Sequence, residues 1–377
     1  MSKSLFFVIL FSVLVIQGCS NSRPALPDLP ALESKVNLKT AWRAGVDGNF
    51  GESSERFNLV AEDDGVFFVT EKGTVYELGQ EKGKKRNMVA TDYKPSSGVA
   101  RHGDILYFGT YDAKLVAVSL SQKSVLWEKS LSSEVLSEAS YAAGKLAVQT
   151  ADGWLSVLDA ETGDILWRAK EDLPSLTVRG TSAPIISEGK VIAGFASGRL
   201  KAFSLQSGNL LWSYEVGKPE GRYEIERLSD IDGRLVVENG VVYAVAYNGT
   251  LAALSLESGR PLWQRSIASS VGVAVRGELL IAVDMSSKVI ALNAKNGAEV
   301  WENADLVERD LISPEFFRDY VAVMDRGGYV HLLDLMTGEV AVHKVAGNKV
   351  PSGSRMVAND KQLFILTPNS NVTALSY

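Results

Sequence analysis

Short runs of alternating apolar and polar residues cover most of this chain, and one unit of that pattern recurs. Its clearest copy, residues 153–167, reads as an alternating strand from Trp154 to Leu158, a turn centred on Asp159 and Gly163, and a second strand ending at Trp167. Equally spaced copies span residues 113–127, 198–212, 249–263 and 287–301, so Trp127, Trp167, Trp212, Trp263 and Trp301 occupy one equivalent position. Weaker copies start at Gly73, with Asn87 in the tryptophan place, and at Gly328, with Val342 there. Upstream of each copy lies another apolar run, from residues 66–69 in the first to 320–323 in the seventh, bounded by Gly, Asp or Asn of the kind that tight hairpins need.

An eighth run, residues 363–366, leads into 371–377 and lacks the last strand of the unit. An orphan strand at the other end, Lys39 to Arg43, carries Trp42 and has no repeat before it. Pairing the orphan with the vacancy closes a ring and removes two exposed sheet edges. Adjacent tryptophans from Trp127 to Trp301 stand 40, 45, 51 and 38 residues apart, the length of a four-stranded blade. The fold expected is all-β: an eight-bladed β-propeller over residues 37–377, its four-stranded antiparallel blades closed by the N- and C-terminal strands. Trp42, Trp127, Trp167, Trp212, Trp263 and Trp301 are then packing anchors between blades, each worth about 3–5 kcal/mol on truncation to alanine.

Composition excludes several classes. The chain of 377 residues is 46% hydrophobic and 22% charged with a net charge of −6, an ordinary globular balance that repels phosphate, so nucleic acid is not an expected partner. Its single cysteine, Cys19, forbids an internal disulfide or a cysteine-rich metal site. His102, His331 and His343 are expected in different blades at no metal-ligand spacing, and neither a Gly-x-Ser-x-Gly elbow nor a phosphate-cradling glycine loop is present, so no cofactor and no catalytic residue is assigned.

The N-terminus carries Lys3 and then an apolar run from Leu5 to Ile16, a secretory signal too short to span a bilayer, for which roughly 20 residues are needed. Its end, Val15 to Cys19, resembles a bacterial lipobox. That resemblance implies removal of residues 1–18, acylation of Cys19 and, with Ser20 rather than aspartate following, delivery to the outer membrane. Residues 19–36, with Pro24, Pro27 and Pro30, read as a lipid-bearing tether that reaches about 50 Å at roughly 3.1 Å per residue if extended.

Two family resemblances follow from these motifs. The tryptophan-ended repeat resembles that of propellers binding pyrroloquinoline quinone, which implies an oxidoreductase; the vicinal cysteines such enzymes place against the cofactor are absent here. A periplasmic ligand- or carbohydrate-binding propeller is a further alternative. Taken with the lipobox and the proline-bearing leader, the whole chain from Cys19 to Tyr377 resembles the BamB (YfgL) family of outer-membrane β-barrel assembly lipoproteins. The resemblance implies a non-catalytic scaffold, lipid-anchored on the periplasmic face of the outer membrane, that binds BamA through its POTRA repeats within the BAM complex. It places that contact on two neighbouring blade-to-blade loops and on Leu176, Val178, Arg179, Asp230 and Asp232, read as apolar anchors ringed by charge. Arg179 could also pair with Asp230 or Asp232 to stiffen the loops. Unfolded β-barrel clients are a further conceivable partner, by strand addition to a blade edge.

Overall fold

The computed structural model describes residues 24–48, 56–62, 64–177, 182–219, 221–347, 356–367 and 371–377. The signal sequence, Cys19, Val178 and Arg179 therefore lie outside the described residues. Among the described residues eight four-stranded antiparallel sheets form, numbered here blades 1 to 8 in chain order. Blade 3 is representative, with strands Ser140–Ala142, Lys145–Gln149, Trp154–Asp159 and Ile165–Lys170. The two middle strands of each blade are almost wholly buried because both of their faces meet a neighbouring blade, which is why they read as near-continuous apolar runs. First strands of adjacent blades lie against one another around the axis. These first strands are mostly only three residues long, too short to leave an alternation signal, and the sequence pattern does not reveal them.

Circular closure is as expected. Lys39–Gly45 pairs antiparallel with Asn371–Ser376, from Lys39 opposite Ser376 to Gly45 opposite Asn371, and so becomes the outer strand of blade 8.

Each predicted tryptophan docks on the next blade in the same way. Its indole Nε1 donates to a backbone carbonyl in the neighbouring outer hairpin: Trp127 to Ala160 (3.2 Å), Trp167 to Leu205 (3.0 Å), Trp212 to Leu256 (3.0 Å), Trp263 to Ala294 (2.8 Å), Trp301 to Leu335 (2.9 Å), and Trp42 to Gln80. Three residues past each acceptor stands a glycine with positive φ whose missing Cβ makes room for the ring. At Gly259 (φ 68°) a Cβ would sit 2.6 Å from Trp212 Cδ2. The two seams without a tryptophan are those without such a receiver. Beyond Asn87 the corresponding turn position is Lys123, itself at φ 53°, and beyond Val342 the hairpin would have to join the two chain ends.

Every outer strand also carries a β-bulge at the residue before the docking position. The extra residues are Ala41, Arg86, Leu126, Leu166, Leu211, Leu262, Val300 and Ala341. A bulge bends the strand and interrupts its regular bonding edge, one of the devices by which sheets avoid edge-to-edge association.

The tether expectation needs correction for its described part. From Pro24 onward the leader does not stand clear of the body; it lies on blades 6 and 7. The reason is a triplet, Pro24-Ala25-Leu26, Pro27-Asp28-Leu29, Pro30-Ala31-Leu32. Proline fixes φ near the polyproline II value, whose period of three residues puts all three leucines on one edge. Burial follows that period: the leucines are half-buried and the prolines, alanines and Asp28 between them exposed. Leu29 and Leu32 pack on a cluster that includes Trp301, Leu306, Leu311 and Val340, and Val36 joins the neighbouring cluster with the buried Leu38.

Candidate protein-docking face

In a blade whose four strands run as a meander, the blade-to-blade connections and the turns between second and third strands emerge on one face, and the other two turns on the opposite face. The loops singled out by sequence, from Glu171 to blade 4 and from Val216 to blade 5, are therefore side by side on the connection face. Ser175 Oγ donates to Glu224 Oε2 at 2.6 Å and ties one loop to the other.

The second loop is built from both ends. Residues Glu224–Arg227 form a single 3-10 turn, and Glu226 Oε2 reaches back to accept from the backbone N–H groups of Arg222 (2.7 Å) and Tyr223 (3.2 Å) just before it. Arg227 Nε closes back on the Gly221 carbonyl at 3.0 Å. At the far end Ile231 is fully buried, and its side chain fills the space a Cβ on Gly194 would need. Backbone bonds from Ile231 N to Phe195 O (3.3 Å) and from Tyr247 N to Asp230 O (3.0 Å) stitch that end to blades 4 and 5.

This anchoring changes the expected role of two predicted residues. Asp230 and Asp232 flank the Ile231 plug and go inward with it, so Asp230 is only 1% exposed and neither carboxylate forms an exposed charged rim. Burial, then the nearby charge of Asp230, pushes the Asp232 carboxyl well above the ordinary carboxylate range. The exposed charge on these loops comes instead from Arg222, Glu224, Glu226 and Arg227.

Leu176 is exposed, as expected, at 43%. Three apolar side chains that sequence reasoning did not single out join it: Leu173, and most of all Tyr223 and Ile225, each 68% exposed. Their signal was present in Tyr223-Glu224-Ile225-Glu226-Arg227, an apolar/charged alternation in a connection with no strand beside it to bury the apolar set. A clamped pair of loops showing four apolar side chains among charges can bind a protein surface.

Towards the axis, Arg234 Nη1 reaches Glu315 Oε2 at 3.1 Å, so first strands of blades 5 and 7 are joined near the ring centre. His331 and His343, expected in different blades, instead stand opposite each other on the third and fourth strands of blade 7, their Nδ1 atoms 2.7 Å apart, and among the described residues no group of three or more His, Cys, Asp or Glu could hold a metal ion.

Comparison with known proteins is consistent along the whole chain. A family model described as outer membrane protein assembly factor BamB matches residues 71–303. The protein of that name from Yersinia pestis is 31% identical over 371 residues, covering 94% of each chain, and that from Escherichia coli strain K12 is 32% identical over 385 residues, covering 97% of each. The crystal structure of BamB from Moraxella catarrhalis superposes with a TM-score of 0.81 at 25% identity, over 90% of this chain and 100% of the other.

Proposed function

The chain belongs to the outer membrane protein assembly factor BamB family, and from that membership we propose that it is a non-catalytic scaffold of the outer-membrane β-barrel assembly (BAM) complex. In this reading Cys19 is acylated after removal of residues 1–18, and the propeller faces the periplasm from the outer membrane. Its partner is BamA, gripped through the POTRA repeats by the connection loops of blades 3, 4 and 5. Leu176 and Val178 serve as contacts, joined by Leu173, Tyr223 and Ile225. Arg179 supplies a cation at the same loop. Asp230 and Asp232 act from beneath, one each side of the plug that fixes the loop.

The observation that carries this reading is the pair of loops bridged by Ser175 and Glu224, which holds four exposed apolar side chains on a rigid face. Exposed leucine, isoleucine and tyrosine lower the solubility of a monomer and are retained where a partner covers them. Tryptophan docks at six of the eight seams leave the disc little internal freedom, which suits a part that orients another protein rather than one that turns over substrate.

The test is co-purification from detergent-solubilised membranes. Leu176→Asp and Ile225→Asp, each on an exposed loop, should reduce recovered BamA by tenfold or more (about 1.4 kcal/mol per decade) with an unchanged melting temperature. Arg179→Glu should do likewise. Full BamA recovery with all three would overturn the assignment of this face, and absence of BamA from the unmutated preparation would overturn the function.

A further inference from the structure

The docked leader bears on where the propeller meets the membrane. Its backbone and side chains are held at three levels. Near its end, Lys35 N donates to Ala341 O at 2.8 Å, the carbonyl of the bulge residue of blade 7, and Lys35 Nζ pairs with Glu339 at 2.6 Å. Midway, the Pro27 carbonyl accepts from Arg309, in the connection between blades 6 and 7. Farthest out, the Pro24 carbonyl accepts from Arg326 Nη2 at 2.9 Å, in the turn between the second and third strands of blade 7.

These levels define a direction. Glu339 and the Asp334–Glu339 turn belong to the face opposite the connections, whereas Arg309 and Arg326 belong to the connection face. Read from Lys35 back to Pro24, the leader climbs the outer wall at blades 6 and 7 and reaches the connection face at Pro24. The two arginines are not free to swing away. Asp325 is fully buried and receives Arg309 Nε at 2.7 Å, with His331 Nε2 at 3.2 Å behind it. Arg326 Nε pairs with Asp310 at 2.7 Å. Two built-in cations thus wait for two leader carbonyls, and a leucine edge fills the groove between them and Lys35. Three half-buried leucines bury apolar area on docking, and a proline-stiffened ribbon gives up little entropy in doing so.

We propose that residues 24–38 are a strap that fixes the membrane anchor to the blade 6–7 rim of the connection face, so that this rim is the part of the disc nearest the bilayer. The inference rests on the reading of Cys19 as the acylated residue. Pro24 stands five positions after Cys19, which limits the rim to about 18 Å from the anchor whatever the conformation between them; a leader free as far as Leu38 would allow more than about 60 Å. BamA, bound two blades further round on the same face, would then be met on the membrane side of the disc.

The experiment uses the acylated full chain in vesicles of outer-membrane lipid containing an acceptor dye. With Cys19 acylated, a cysteine introduced at Met285 or Met336 is the sole free thiol for a donor. Met285 is exposed at the second-to-third-strand turn of blade 6 on the connection face, and Met336, 82% exposed, lies on the opposite face of blade 7. Faces roughly 20 Å apart should give the Met285 label about twofold or more higher transfer to the membrane than the Met336 label. In a Leu29→Asp/Leu32→Asp background the strap is released and the difference should vanish, while unchanged far-UV circular dichroism and indole fluorescence spectra show that the disc is intact. Equal transfer from both labels in the parent strap, or an undiminished difference after its release, overturns the proposal. An intact mass without acyl chains, with no vesicle binding, identifies failure of the anchoring premise instead and takes this proposal with it.

Discussion

Replacing Gly259 by alanine tests the claim that tryptophan docks, rather than turns alone, hold the blades together. Two penalties are legible in the structure. The residue has φ 68°, and an L side chain in that region costs roughly 1–2 kcal/mol. The new Cβ would also lie 2.6–2.8 Å from three atoms of the Trp212 indole, which is pinned by its 3.0 Å bond to the Leu256 carbonyl and cannot tilt without losing it. Overpacking of that kind adds about 1–3 kcal/mol, for a total of about 2–5 kcal/mol. Gly277 supplies the control, with φ 64° and nothing within 4 Å of its hypothetical Cβ, so Gly277→Ala should show the backbone penalty alone. Urea unfolding followed by indole fluorescence measures both. Trp212→Ala should cost about 3–5 kcal/mol, and adding Gly259→Ala to it should cost no more than Gly277→Ala does, because the clash has gone. Equal losses for Gly259→Ala and Gly277→Ala in the parent chain would refute the docking account.

The undocked seam makes the reverse prediction. Lys123→Gly should stabilise by about 0.5–1 kcal/mol by relieving its positive φ, and Asn87→Trp should stabilise only when combined with it, read as coupling in a double-mutant cycle. Asp232→Asn should raise the melting temperature at pH 7–8. A carboxyl whose folded pKa is pushed up by burial and by Asp230 loses stability as pH rises from its unfolded value near 4 through its folded one, so the asparagine variant should lack that part of the pH slope. His343 gives the opposite sign: burial first, then His331 and Arg309, lower its pKa to about 4. Its contribution is complete above the unfolded value near 6.5 and is lost as pH falls from there towards 4, and His343→Gln should flatten melting curves across that window. Cys19→Ala should leave the protein in the soluble fraction after membranes are pelleted.

Much of this architecture was legible because the repeat writes its packing into the chain. The outer hairpin needs a turn, a glycine and a large aromatic at fixed offsets, and the missing outer strand of the eighth repeat announced the N-terminal closure through Trp42. The first strands were not legible, being about three residues long and held by their neighbours rather than by propensity. At the candidate docking face, the neighbouring loops and the exposure of Leu176 were legible. Sequence misjudged Asp230 and Asp232 because their burial is decided by Ile231 inserting against Gly194, a contact between two blades that no local pattern encodes. In the leader, proline content suggested an extended spacer, yet the period of three in Leu26, Leu29 and Leu32 held the contrary signal. An apolar edge on a polyproline ribbon has the same meaning as an apolar face on a helix.

The bulges bear on how such a disc could act on unfolded barrel clients. Strand addition requires a continuous row of free N–H and C=O groups, and eight outer strands seem at first to offer it. Each is broken at the residue before its docking position, and Leu126, Leu166, Leu211, Leu262 and Val300 project there as exposed side chains. A client strand could bond only to a short stretch on either side of each bend, too little to repay the entropy of ordering it. The one outer edge that accepts a further backbone among the described residues is blade 7, where Lys35 bonds the bulge carbonyl of Ala341, and that place is taken by the chain's own leader. On the proposed function, influence on clients is therefore expected to pass through the connection face and a partner bound there, not along the rim. A client-derived barrel strand, crosslinked through a photoreactive residue, should label Tyr223 or Ile225 ahead of Leu166 or Leu262; preferential labelling of the rim leucines would reverse this conclusion.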